Sequence, residues 1–431
     1  MLKRLSLCGC LLLMTWAATA SAALRINISQ GVTAAVPIAV VPFQYQGSGN
    51  APLDVAKVVA QDLKISGSFS PLPRNKMLAQ PSDPKKVNYK NWREVSVDDL
   101  VVGKVSPSPR GYTVEFHLLD VYGGSQLAGY SISVGPEGLR QAAHHIADLI
   151  YKQLTGDQGG FESRIAYVSI DRSDTQYPYR IMVSDWDGHR AHMVVRSKQA
   201  LMSPAWSPGG KRLAFVTFHK AHSVVYVQNL KTGKLRKVAD RPGINSAPAW
   251  SPDGKRLALS LSYQGNAEIY VLDLASGKLQ RITHSPAIDT EPSWSPNGQT
   301  LIFTSDRGGR PQIYQIPASG GQAQRLTFDG KSNADGEISP NGKSLLMVHQ
   351  DDKGYSIAQM DLKTHNLTVL TSGPLDEHPS YSPNGAMIVY SPATSNARGL
   401  AIVSADGHAQ EQLDTGGEAQ EPAWSGNMAQ Q

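Results

Sequence analysis

The heptapeptide Pro204-Ala-Trp-Ser-Pro-Gly-Gly210 decides the fold, because it returns along the chain. It recurs as Pro248-Ala-Trp-Ser-Pro-Asp-Gly254 and as Pro292-Ser-Trp-Ser-Pro-Asn-Gly298, with weaker copies at residues 336–342, 379–385 and 422–425. The central residues of the six copies are Trp206, Trp250, Trp294, Ile338, Tyr381 and Trp424. Their spacings are 44, 44, 44, 43 and 43 residues. A period in the low forties is the length of one four-stranded blade of a β-propeller.

The order of the repeated segments predicts that the propeller is closed. Each repeat contains three further strand-like segments, and the array begins near Ile165 with the second kind of strand and ends at Trp424 with the first kind. The last segment, residues 422–425, would therefore complete the blade that begins at Arg164, which protects the edges of the sheets. We expect an all-β, six-bladed propeller over residues 164–431, closed by the C-terminal strand.

The Trp residues that reveal the repeat are expected to pack between blades rather than to bind a ligand. A residue that is present in most repeats belongs to the scaffold. Departures from the repeat are more informative about function. The segment Asn333-Ala-Asp-Gly-Glu-Ile338 is one of them, because it lacks the usual Pro and Trp.

The N-terminus reads as a secretory signal over residues 1–22. Lys3 and Arg4 precede an apolar stretch, and Ala20-Ser21-Ala22 offers small residues for cleavage before Ala23. The apolar stretch is too short to span a membrane. A lipoprotein signal at Leu7-Cys8-Gly9-Cys10 is the alternative, although cleavage there would leave little apolar sequence upstream. Both cysteines lie in this signal, so we expect an exported chain without disulfides.

Residues 36–156 predict a small α/β domain, joined to the propeller by a linker at residues 157–163. Pro37-Ile-Ala-Val-Val-Pro-Phe43 reads as a buried strand, and the following residues show helical spacing of apolar positions. A second helix is predicted to end at Gly156. The arm before this domain, residues 23–35, alternates apolar and polar residues. It could add a strand to a partner's sheet edge or be a disordered terminus.

The chain offers no recognisable catalytic or metal-binding motif. We find no Gly-x-Ser-x-Gly, no His-Glu-x-x-His and no phosphate-binding loop. His144 and His145 are adjacent on a helix and point in different directions, and Asp185-Trp-Asp-Gly188 is interpreted as a hairpin turn rather than a calcium loop. The formal net charge is +5 without a basic stripe, which argues against nucleic-acid binding. We therefore expect neither cofactor nor metal.

Several segments outside the repeat resemble the TolB family, the periplasmic components of the Tol–Pal system of Gram-negative bacteria. The resemblance covers almost the whole chain. Its segments are Leu24-Arg-Ile-Asn-Ile28, Pro37-Ile-Ala-Val-Val-Pro-Phe43, Arg164-Ile-Ala-Tyr-Val168, Leu201-Met-Ser-Pro-Ala-Trp-Ser-Pro208, Tyr270-Val-Leu-Asp-Leu-Ala-Ser-Gly277, Thr290-Glu-Pro292 and Phe303-Thr-Ser-Asp-Arg307.

The resemblance implies a non-enzymatic, monomeric periplasmic protein that binds two partners. The propeller would bind the peptidoglycan-associated lipoprotein Pal, and the N-terminal arm would bind TolA. The system supports outer-membrane integrity and constriction during cell division, and some bacteriocins exploit it for import. Carried onto this chain, the TolA-binding residues are Ala23, Leu24, Arg25, Ile26, Asn27 and Ile28.

Candidate Pal contacts follow from the geometry of a propeller. Loops from strand four to the next strand one, and from strand two to strand three, lie at the same mouth of the ring. The first class contains Met202, Ser203, Asn245, Ser246, Asp289, Thr290, Glu291, Asn333, Asp335, Glu377 and His378. The second contains His219, Gln264, Asp306 and Arg307. Met and polar groups around a central opening suit protein recognition.

Two other classes of function remain as alternatives. A propeller hydrolase or lyase would need acid and base residues that converge at the ring centre. A glycan-binding propeller would need exposed aromatic residues on its loops, whereas most aromatic residues here fall on predicted strands.

Overall fold

The computed structural model describes residues 35–220, 222–393 and 399–426. The predicted signal peptide and nearly all of the N-terminal arm lie outside the described residues. Within them the chain forms an α/β domain followed by a six-bladed β-propeller, as predicted. No helix in the described ranges is both long and apolar enough to cross a lipid bilayer.

The α/β domain is built on one mixed sheet, with two long helices packed on one face and a short helix on the other. The elements are β1 (Val36–Val40), β2 (Gln44–Tyr45), α1 (Val55–Ile65), β3 (Phe69–Pro71), α2 (Tyr89–Glu94), β4 (Asp99–Ser108), β5 (Gly111–Asp120), β6 (Ser125–Val134) and α3 (Leu139–Thr155), with short 3-10 helices at Arg74–Lys76 and Pro84–Lys86. The sheet order is β3-β1-β4-β5-β6, and β2 pairs with β4. Strand β1 is parallel to both neighbours, whereas β4, β5 and β6 are antiparallel.

Local chemistry fixes the ends of the two long helices. The side chain of Asp54 accepts a hydrogen bond from the backbone N–H of Lys57 at the start of α1, as an N-cap should. Helix α3 ends at Gly156, whose φ of 85° is the left-handed conformation that glycine adopts without strain. This confirms the predicted end of the helix.

Each blade of the propeller is a four-stranded antiparallel sheet. Blade 2 contains β10 (Leu201–Trp206), β11 (Arg212–His219), β12 (His222–Asn229) and β13 (Leu235–Ala239). Blade 3 contains β14 (Asn245–Trp250), β15 (Arg256–Leu261), β16 (Glu268–Asp273) and β17 (Leu279–Arg281). Blade 4 contains β18 (Asp289–Trp294), β19 (Thr300–Ser305), β20 (Gln312–Pro317) and β21 (Gln324–Arg325). Blade 5 contains β22 (Ser332–Ile338), β23 (Ser344–Gln350), β24 (Tyr355–Asp361) and β25 (Leu367–Val369). Blade 6 contains β26 (Asp376–Tyr381), β27 (Met387–Pro392), β28 (Leu400–Ser404) and β29 (Gln410–Leu413).

Blade 1 combines both ends of the repeat array. Its strands are β7 (Arg164–Ile170), β8 (Tyr179–Asp185) and β9 (His192–Ser197), and its inner strand is the C-terminal β30 (Glu418–Trp424). The register sets Trp424 opposite Ile165 and Glu418 opposite Ile170. The predicted closure by the C-terminal strand is therefore confirmed.

The repeated Trp residues hold successive blades together. The indole N–H of Trp250 donates to the backbone oxygen of Ala205 in the preceding blade at 3.1 Å, and Trp294 makes the same bond to Ala249. The Arg256 guanidinium lies 4.6 Å from the ring centroid of Trp294. The prediction that these residues are scaffold is confirmed.

The α/β domain lies against one end of the propeller, at the turns of blades 1 and 6. Asp187, in the turn between β8 and β9, bonds to Arg140 of α3. In blade 6, a Cβ on Gly67 would lie 2.7 Å from the Asp406 carboxylate, in the turn after β28. The predicted linker packs into this contact, because the side chain of Phe161 is buried there.

Candidate functional site

The free mouth of the propeller is the end that faces away from the α/β domain. The domain touches turns that join strands three and four, and antiparallel strands place the loops after strands two and four at the opposite end. We call the loops at that end the mouth loops; among them are residues 240–244, 282–288 and 326–331. The candidate Pal contacts of the propeller belong to these loops or to the adjacent ends of the strands.

Large apolar side chains are exposed on three successive mouth loops. Ile244 is 51% exposed, Ile288 is 53% exposed and Phe328 is 68% exposed. Phe218 and Met202 at the same mouth are also exposed. Apolar groups clustered on a polar loop surface are typical of a protein-binding site. Sequence reasoning missed Ile288 and Phe328 as contacts, although an apolar residue in an otherwise polar loop was the available signal.

Three candidate contacts are buried instead of exposed. Asn245, Asp289 and Asn333 occupy equivalent positions at the start of three inner strands, and each is at most 1% exposed. The Asn245 amide donates to the backbone oxygen of Arg241 at 2.7 Å, and Asn333 does the same to Asp329 at 2.8 Å. These residues hold the mouth loops in place and do not face a partner directly.

Asp289 and Arg307, both candidate contacts, bind each other. The Arg307 guanidinium donates to the two Asp289 carboxylate oxygens at 2.7 and 2.9 Å. Burial raises the pKa of Asp289 and exceeds the opposing effects of Ser305 and Arg307. Beside Arg307, the carboxylate of Asp306 accepts a hydrogen bond from the backbone N–H of Ile288, in the loop before β18, at 2.8 Å. This network fixes the loop that exposes Ile288.

The structure brings four other candidate residues together around the central channel. In each inner strand, the residue before the repeated Pro position, which is Gly336 in blade 5, adopts a positive φ between 47° and 53°, where a bulge interrupts the strand pairing. These six equivalent residues are Ser203, Ala247, Glu291, Asp335, His378 and Glu421. Such backbone conformations are costly for residues other than glycine, and they cluster at functional sites. The ring they form lines a cavity of about 500 Å³.

The channel is rich in carboxyl groups. Glu291 accepts hydrogen bonds from the Thr304 hydroxyl at 2.7 Å and from the backbone N–H of Asp335 at 3.0 Å. Burial raises the pKa of Glu291, and the neighbouring Asp335 raises it further. Burial also raises the pKa of Glu337, to about 8. These carboxyl groups therefore hold protons more readily than exposed ones.

One histidine, His378, lies among these acidic residues. The His378 Nδ1 lies 3.5 Å from a carboxylate oxygen of Asp335. Burial opposes the charged imidazolium, but Asp335 and the nearby Glu421 outweigh it and raise the pKa of His378 to about 9. His378 is therefore an imidazolium at neutral pH and offsets part of the negative charge of the channel.

The remaining candidates lie around this opening or on the loops beside it. Ser246 and Thr290 line the channel. His219 ends β11, where its ring contacts that of His222 at 6.5 Å between centroids. Gln264 accepts a hydrogen bond from the Tyr270 hydroxyl at 3.1 Å. Glu377 precedes His378 in β26. The six arm residues predicted to bind TolA lie outside the described residues.

Comparison with known proteins gives a consistent result along the chain. Residues 151–428 match the family model of the TolB beta propeller domain, and residues 24–127 match that of the TolB amino-terminal domain. The chain is 57% identical over 415 residues to the Tol-Pal system protein TolB of Methylococcus capsulatus, covering 96% of this chain and 97% of the relative. It is 56% identical over 417 residues to the protein of the same name from Escherichia fergusonii, with the same coverage of 96% and 97%.

A solved structure agrees with these sequence matches. The crystal structure of TolB from Acinetobacter baumannii superposes with a TM-score of 0.83 at 36% sequence identity. The match covers 91% of this chain and 97% of that one.

Proposed function

The chain belongs to the TolB family of Tol-Pal system proteins, and from this premise we propose that it is a non-enzymatic periplasmic scaffold with two separate binding sites. The mouth of the propeller binds the lipoprotein Pal. The N-terminal arm, residues 23–33, binds TolA. By joining the two, the protein supports outer-membrane integrity and constriction during division, and bacteriocins could use the same surfaces for import.

The observation that carries the proposal is the exposed apolar surface at the free mouth. Ile244, Ile288 and Phe328 project from loops that buried polar residues hold in place. A binding site that is already formed loses little conformational entropy on association. An apolar centre with a polar rim is also the usual anatomy of a protein–protein interface.

The sequence of the N-terminal arm supports the proposed TolA-binding site. Leu24, Ile26 and Ile28 alternate with polar residues, upstream of the first strand of the α/β domain, which begins at Val36. An extended segment with this pattern can add a strand to the edge of a partner's sheet, with backbone hydrogen bonds giving affinity and alternate side chains giving specificity.

The test measures both affinities by calorimetry on the chain from residue 23, with soluble domains of Pal and TolA. Deleting residues 23–33 should abolish TolA binding and leave the Pal affinity unchanged. The double substitution Ile244→Asp, Ile288→Asp should do the reverse. If the intact chain bound neither domain, or if each variant bound both domains as the intact chain does, the proposal would be wrong.

A further inference from the structure

A buried cluster of charged side chains lies where the α/β domain meets the propeller. His144 of α3 is at its centre and is almost completely buried. Its Nδ1 lies 2.7 Å from a carboxylate oxygen of Asp62 on α1. Its Nε2 lies 3.3 Å from a carboxylate oxygen of Asp187, in the propeller turn between β8 and β9. One imidazole therefore touches both helices and the propeller.

Two arginines complete the cluster. The Arg140 guanidinium donates to Asp187 at 2.5 and 2.8 Å. The Arg190 guanidinium binds both carboxylate oxygens of Asp185 at 2.7 and 2.8 Å. With His144 protonated, three cations face three carboxylates. A buried cluster is tolerated only when its charges are paired in this way.

The surroundings of His144 favour its charged form. Burial opposes protonation, but Asp62 and Asp187 outweigh this effect and raise the pKa of His144 to about 10. His144, Asp185 and Asp187 could by position hold a metal ion. However, Arg140 and Arg190 already neutralise both carboxylates, and a divalent cation would leave positive charge in excess. The imidazolium fills the position that a cation would otherwise take.

Aromatic rings extend the contact from the cluster into the α/β domain. The Trp186 ring lies 6.1 Å from that of His144 and 5.8 Å from that of Phe161, between ring centroids. Phe161 then contacts Tyr151 of α3 at 6.0 Å. The Asp148 carboxylate accepts hydrogen bonds from the backbone N–H groups of Phe161 and Glu162, at 2.8 and 3.1 Å. The linker is thus anchored beside the charged cluster.

We propose that His144 is an ionic clasp that fixes the orientation of the α/β domain on the propeller. Its imidazolium is the cation shared by Asp62 on one side and Asp187 on the other. Without that cation, three carboxylates would face only the two guanidinium groups of Arg140 and Arg190, and the buried Asp62 carboxylate would have no cation beside it, which is strongly unfavourable. Asp62 and His144 belong to the same domain, so the contact between domains that is lost with the imidazolium is the one from its Nε2 to Asp187.

The test replaces His144 with Gln and follows the distance between the two domains. The only cysteines, Cys8 and Cys10, precede residue 23, so spin labels can be attached to a chain from residue 23 that carries Ser125→Cys and Thr232→Cys. Pulsed electron paramagnetic resonance then measures the inter-label distance distribution. Limited proteolysis reports access to the linker at residues 157–163. The matched control is Asp289→Asn, which breaks a buried ion pair inside one blade.

The clasp predicts a broader distance distribution for His144→Gln and at least tenfold faster cleavage of the linker. Asp289→Asn should lower the melting temperature without changing either measurement. If His144→Gln does not fold, Asp187→Asn, which alters only an interdomain turn, is measured instead. A variant that loses stability but keeps the distance distribution and the slow cleavage of the unmodified chain would overturn the proposal.

Discussion

Phe328 is the most exposed of the large apolar side chains at the mouth of the propeller. Replacing it with Ala should therefore weaken partner binding without changing the stability of the fold. Its side chain is 68% exposed, so its truncation should change the free energy of unfolding by less than about 0.5 kcal/mol. A Phe side chain has roughly 200 Å² of surface, of which about 140 Å² is available to a partner here. At about 25 cal/mol per Å², complete burial on binding contributes about 3.5 kcal/mol. We therefore expect the affinity for Pal to fall by up to about 300-fold.

The assay is calorimetric titration of Pal into each variant, with urea unfolding of the same samples. Leu235→Ala is the matched control, because Leu235 is 50% exposed on β13, the outermost strand of blade 2. That substitution should change neither affinity nor stability. Equal Pal affinities for Phe328→Ala and Leu235→Ala would refute the assignment of the mouth loops as the contact surface.

Three further substitutions test the interior of the propeller. Glu337 has a pKa of about 8 in the folded protein, above its ordinary value of 4.5, so its burial weakens folding progressively as the pH rises from about 4.5 through 8. We therefore expect Glu337→Gln to be more stable than the unmodified chain by about 2 kcal/mol at pH 9, which is less than the full free energy of the pKa shift because the channel admits solvent. At pH 4 the two should be equally stable. Urea unfolding at both pH values checks this. Trp424→Ala should lower the free energy of unfolding by about 3–5 kcal/mol in the same assay, because it leaves a cavity beside the inner strand that closes the ring. Asn333→Ala should cost about 1–3 kcal/mol, seen in thermal unfolding, because it leaves the Asp329 carbonyl without its donor.

The propeller could be predicted from the sequence because its repeat consists of residues with strong local conformational preferences. Ser-Pro-Asp-Gly specifies a tight turn: the Gly254 N–H bonds to the Ser251 oxygen at 2.8 Å, and the φ of Gly254 is 65°. Closure of the ring could be predicted by counting the repeated segments, because Trp424 at the end of the array belongs to an inner strand that the first blade lacks. Neither inference needed knowledge of contacts between distant residues.

The division of the mouth into exposed and buried residues could not be predicted in the same way. Asn245, Asp289 and Asn333 are polar residues in loop-like sequence, which normally indicates exposure. Their burial depends on partners in neighbouring strands and loops, such as Arg307 for Asp289. Their recurrence at equivalent repeat positions was the one available signal that they belong to the scaffold.

The contact between domains also could not be predicted from the sequence. Asp185-Trp-Asp-Gly188 does form the predicted turn, since the Gly188 N–H bonds to the Asp185 oxygen at 3.0 Å. However, backbone atoms close that turn, and the Asp187 carboxylate, which also accepts a hydrogen bond from the His189 N–H at 3.2 Å, reaches His144 in the other domain. Local patterns indicate where a turn forms and do not indicate what its side chains meet.

Hydrogen exchange of the chain from residue 23, with and without a saturating soluble domain of Pal, tests the central claim most directly. If the free mouth is the binding surface, exchange should slow in the mouth loops at residues 240–244, 282–288 and 326–331. It should stay unchanged in the turns at residues 186–190 and 405–408, which face the α/β domain. Protection of those turns with unchanged exchange in the mouth loops would contradict the account.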